Sequence, residues 1–86
     1  MGENEKKYNE ITDKLMDKIN AIEDLDTRYR ILHEVVVNKN KLIDQTNKNS
    51  PKIKEMSYGL SILYLETAMK CVDDILTSQN SIRHKK

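Results

Sequence analysis

Residues 51–79 read PKIKEMSYGLSILYLETAMKCVDDILTSQ, and they decide the fold. A polar, turn-rich segment, Thr46-Asn47-Lys48-Asn49-Ser50, leads into Pro51. Proline suits the first position of a helix, where its missing N–H costs nothing, and Ser50 is placed to cap it. Ser50 is also pushed out of the α region by the proline, so any preceding helix must end there. With residues set about 100° apart on a helix, Tyr58, Ile62, Leu65, Met69, Val72 and Leu76 fall on one line. Ile53, Leu60, Tyr64, Ala68, Cys71 and Ile75 form a second line about 120° away. The apolar arc is therefore roughly 200° wide, about twice what an amphipathic surface helix needs. One neighbouring helix covers one stripe, and the second stripe requires another. Met56 and Met69 read as core filler and Cys71 as a small core residue.

Upstream, every seventh residue from Tyr8 is apolar or aromatic: Tyr8, Leu15, Ile22, Tyr29, Val36, Ile43. No Gly or Pro interrupts residues 3–50. This pattern predicts a long helix over 5–46, about 60 Å in length, preceded by a disordered 1–4. Asp24 and Thr27 favour helix starts over helix interiors, so a break at 24–27 is the alternative. The expectation is an all-α chain: a long helical hairpin, or a three-helix unit if the break occurs. A polar turn occupies 47–50, the second helix 51–79, and a flexible basic tail 80–86. The long first helix would overhang the second by roughly 20 Å.

The chain has 86 residues, 34% of them charged, with 15 basic and 14 acidic side chains interspersed and a net charge of +1. A chain this short has room for one domain. The balanced charge is no electrostatic footprint for nucleic acid or an anionic membrane. One cysteine precludes an intrachain disulfide and suits a reducing compartment. No apolar run is long enough for a membrane span or a signal core. A soluble, intracellular protein of the cytoplasm or nucleus is expected, with no membrane partner.

No arrangement of residues carries recognisable chemistry. His33 has Val36 and Val37 where a second metal ligand would be needed, and Asp73-Asp74 has no further ligands at metal-loop spacing. Glycine-rich phosphate loops, paired Cys-x-x-Cys motifs and nucleophile elbows are missing from the sequence. Arg28 and Lys39, eleven residues apart, resemble the spacing in the long helix of small helical chorismate mutases. Ile11 stands at that family's earlier arginine position, however. The acidic and basic ligands expected later meet Lys48, Asn49, Ser50, Pro51 and Lys52. No catalytic residue, cofactor, metal or small-molecule substrate is therefore expected.

What remains is helix-mediated binding, as a structural or adaptor subunit of an oligomer or a multi-protein assembly. The expected interface is Tyr58, Ile62, Leu65, Met69, Val72 and Leu76, with Tyr29 and Val36 from the first helix. The partner would be a second copy or another helical protein. A small regulator that sequesters one protein is the alternative, and a nucleic-acid role through Lys48, Lys52, Lys54, Arg83, Lys85 and Lys86 ranks below both. On this reading Leu65→Asp and Met69→Asp break assembly, while Glu66→Lys has little effect.

Overall fold

The computed structural model describes residues 2–48 and 50–84, with backbone only for residues 83 and 84. It is an up-down-up arrangement of three helices: α1 (Glu3–Asn20), α2 (Leu25–Lys48) and α3 (Pro51–His84). The three-helix alternative is the one realised, and there is no single helix over 5–46. α1 begins at Glu3, inside the segment expected to be disordered; Met1 lies outside the described residues. α3 is the longest element and passes the expected end at residue 79. Its backbone is helical to His84, and of the expected tail Lys85 and Lys86 lie outside the described residues, as does Asn49 of the turn. At 54 × 22 × 15 Å the molecule is about as long as α3, so there is no overhang of the kind expected.

The first half breaks because the segment after Asn20 has better partners outside a continuous helix. α1 tightens at its end, the Ala21 and Ile22 N–H groups donating to the Lys18 and Ile19 carbonyls at 3.1 Å. Asp24 then caps α2: its carboxylate accepts the Thr27 N–H at 3.1 Å and the Thr27 hydroxyl. The Arg28 guanidinium donates from Nε and Nη2 to the Ile22 carbonyl at 2.8 and 2.6 Å. From α3, the Gln79 side-chain amide donates to the Ala21 carbonyl at 3.1 Å and accepts the Glu23 N–H at 2.9 Å. Backbone groups exposed by the break are thus met from both sides. The second break follows the sequence reading, with the Lys54 N–H on the Ser50 carbonyl at 2.9 Å and the Ile53 N–H facing the Ser50 hydroxyl at 3.5 Å.

α1 runs parallel to α3, with Asn4 beside Glu55 and Lys18 beside Asp73, while α2 returns antiparallel. Both lie along α3 and touch each other little. The core comprises Tyr8, Leu15, Ile19 and Ile22 of the first arm, Val35 and Leu42 of α2, and Ile62, Leu65 and Val72 of α3. Tyr8 and Tyr58 meet edge to face, their ring centroids 5.5 Å apart. Thr12 and Thr46 are buried with their hydroxyls donating to the Tyr8 and Ile43 carbonyls at 2.8 and 3.0 Å.

The N-terminus of α1 has no cap of its own, since Gly2 stands there. α3 supplies one. Glu55 Oε1 accepts the Asn4 N–H at 2.6 Å, and Asn4 Nδ2 donates to the Glu55 carbonyl at 3.1 Å. Gly59 makes room for this approach: a Cβ there would sit 3.2 Å from Asn4 Nδ2.

Two predictions follow from the turn and the cap. Thr27 holds the Asp24 carboxyl below its ordinary value, so the cap's contribution is present above the unfolded carboxylate range and is lost as pH falls through the folded value. Asp24→Asn should flatten the acid limb of a thermal-stability profile; an unchanged acid limb would mean that Asp24 does not stabilise the turn. Glu55→Ala should lower unfolding free energy in urea by about 1 kcal/mol, as loss of a helix cap does.

Candidate interaction surfaces

The structure divides the expected interface. Ile62, Leu65 and Val72 are in the core, and Tyr58, Met69 and Leu76 are packed against it, half-buried. The first three are covered within the chain and the other three partly so. Both α1 and α2 reach α3, so its wide apolar arc is largely covered without a second molecule. Leu65→Asp would therefore bury a charge in the core and unfold the domain, which makes it no test of assembly.

Tyr29 and Val36, in contrast, are on the surface. The break explains why. In the first arm the seventh-residue series Tyr8, Leu15, Ile22 is buried, but in α2 its continuation Tyr29, Val36, Ile43 is exposed. The α2 core positions, Val35 and Leu42, come one residue earlier. Reversal of the chain at 21–24 re-phases the helix by about 100° and leaves the sequence's own heptad facing outward. Leu25, Tyr29, Val36 and Ile43 lie along one side of α2, between 43% and 64% exposed, with half-buried Leu32 on the same side.

A second surface is on α3, on the side turned away from both other helices. Ile53, Met56, Leu60 and Leu63 are spaced 3-4-3, which puts them on one line, and they are between 46% and 69% exposed. Leu60 and Ile53 belong to the second stripe expected to need another helix. Tyr64, Ala68 and Ile75 of that stripe are half-buried, whereas Cys71 is exposed and not the core residue expected. Met56, read as core filler, is 62% exposed. Met56 and Leu63 fall outside both sequence stripes, on the arc shared with Lys70 and Asp74, and the 3-4-3 spacing is the signal that joins them to Ile53 and Leu60.

Lys18 and Asp73 form a half-exposed ion pair at 2.5 Å, a class worth about 0–1 kcal/mol. Burial raises the Tyr8, Tyr58 and Tyr64 hydroxyls above the ordinary phenol value, with the charges of Glu5 and Glu34 adding to the shift at Tyr58 and Tyr64 respectively. His33 is exposed at an open cleft of about 370 Å³ between α2 and α3, beside Glu34, Asn38, Lys41 and Tyr64. The Asn38 Oδ1 is buried there and accepts no hydrogen bond from the described residues. Among the described residues no group of three or more His, Cys, Asp or Glu side chains is placed to hold a metal ion. Arg28 is turned to the Ile22 carbonyl, and Lys39 is exposed. Lys52 and Lys54 share their surroundings with Glu3, Glu5 and Glu55, so the turn is mixed in charge. Among the described residues, no helix is long and apolar enough to cross a membrane. Compared with protein families, with curated proteins and with solved structures, the chain gives no match.

Truncation separates the two kinds of apolar residue. Leu65→Ala should cost about 3 kcal/mol in urea unfolding, the usual cost of a large-to-small change in a core. Leu60→Ala should stay within about 0.5 kcal/mol. Equal losses at the two positions would contradict the assignment of Leu60 to the surface.

Proposed function

We propose that this protein is a helix-mediated interaction module, a structural or adaptor subunit of a larger assembly. The observation that carries this reading is that the core closes within one chain, yet among the described residues ten large apolar side chains are exposed, eight of them in two separate lines. Single exposed apolar residues are ordinary on any surface, but aligned ones are not. The line on α2 has the 4-3-4 spacing of Leu25, Tyr29, Leu32 and Val36, which suits a partner helix laid alongside. The line on α3 faces elsewhere, so two partners fit without competing, as an adaptor requires. A sequestering regulator is the second reading. The α2 line favours it if used alone, because one helix-in-groove contact suffices to hold one protein.

Photo-reactive side chains placed in the source cell test this function. At Tyr29 and at Leu60 they should yield covalent adducts with protein, each position its own set; at Asp13, on the exposed side of α1, they should yield few. Adducts from Tyr29 alone would favour the sequestering regulator. Equal, unselective labelling at all three positions would contradict an interaction module of either kind.

A further inference from the structure

We infer that the α3 outer face is the contact for a second copy of this chain, packed antiparallel about a two-fold axis near the level of residue 58. The inference rests on the reading of the protein as an assembly module and names the occupant of one of its two surfaces.

The apolar line on α3 is short. Ile53, Met56, Leu60 and Leu63 span about 15 Å of helix. The same line continues through Thr67, Lys70 and Asp74, which are polar and exposed or half-exposed. A long partner helix lying along α3 would meet apolar residues for less than half its course. A second α3 running the opposite way avoids this. With Ile53 opposite Leu63 of the second copy, and Met56 opposite Leu60 of the second copy, the two-fold axis repeats both pairs. Every apolar residue of the line then meets an apolar residue in the alternating layers of an antiparallel coiled coil. An isologous interface of this kind must be self-complementary, and this line is.

Charge favours the same register. Lys52 and Glu66 flank the line on the same side and are both exposed. In the antiparallel register Lys52 of one copy comes beside Glu66 of the other, and the two-fold axis makes the pair twice. A parallel arrangement offers no such pairing. It would instead set two helix N-termini side by side, each with Lys52 and Lys54, so that like ends of two helix dipoles meet. The antiparallel one sets each N-terminus beside the middle of the other helix. α1 and α2 lie on the far side of α3 from this line, so neither stands between the two copies.

The four apolar residues give about half of the roughly 800 Å² that each partner contributes to a standard stable interface. The dimer is accordingly weak and concentration-dependent, suited to reversible assembly. Glu66, where the sequence alone predicts little effect of Glu66→Lys, becomes a determinant of it.

Sedimentation equilibrium on the full chain, from about 10 μM to about 1 mM, tests the proposal, since weak interfaces dissociate within that range. The wild type should pass from monomer towards dimer. Leu60→Asp should stay monomeric throughout with unchanged helicity. Lys52→Glu or Glu66→Lys alone should weaken the dimer about tenfold, and the double reversal should recover it to within about threefold, because only opposite charges in this register compensate each other. A monomer at every concentration would overturn the proposal; adducts at Tyr29 or Leu60 would then still support an interaction module with other partners. A dimer that survives Leu60→Asp but is lost in Val36→Asp would move self-association to α2 and overturn this surface. Single reversals that the double variant does not rescue would overturn the antiparallel register.

Discussion

The reversal of the chain at residues 21–24 is the constraint on which the rest of the structure depends. α3 is apolar around more than half of its circumference, and no single helix covers such an arc. Only by turning back does the first half of the chain provide two helices, one for each side of α3. The turn is held by Asp24, which starts α2, by Arg28, which returns to the Ile22 carbonyl, and by Gln79 of α3, which grips both edges of the turn. Gln79 thus ties the helix that needs covering to the turn that makes the cover possible. At the far end Glu55 does the same for α1 by capping its N-terminus.

The same reversal creates the outward faces. Had the helix continued, Tyr29, Val36 and Ile43 would have shared a seam with Tyr8 and Leu15. Once the chain turns, the α2 core is built from Val35 and Leu42, and the older series faces away. A domain this small has only enough interior for about one line of large side chains from each helix. α3 carries more than one, so part of its apolar surface stays outside. Stability and the exposed apolar faces therefore come from a single fact, that the helices are more apolar than a three-helix core can absorb.

Much of the fold was legible in the sequence. Ser50-Pro51 marked the start of α3 because proline and its preceding residue leave few backbone options. The width of the α3 apolar arc followed from periodicity alone, and so did its need for two neighbouring helices. The break near residue 24 was visible only as an alternative, since Ile22 and Tyr29 keep the heptad running through it while Asp24 and Thr27 oppose it. The Gln79 contact that helps decide between them is more than fifty residues away in sequence and leaves no local trace. The interface was less legible. Periodicity places Val36, not Val35 or Val37, in the series that starts at Tyr8, yet of the three only Val35 is buried. Leu65 and Leu60 are likewise both apolar residues on the α3 stripes, and which one faces the core depends on where α1 and α2 lie. The sequence therefore showed how much surface needed covering but not which part the chain would cover itself.

The central claim is that one chain closes its own core and leaves its outer faces for assembly. Helicity and solution mass, recorded on the same samples through a dilution series, test it most directly. The account predicts that mass falls on dilution while helicity stays high, because Leu15, Ile22, Leu65 and Val72 remain buried in the isolated chain. Helicity that collapses together with mass would contradict it, and would mean that the core is completed only by a partner.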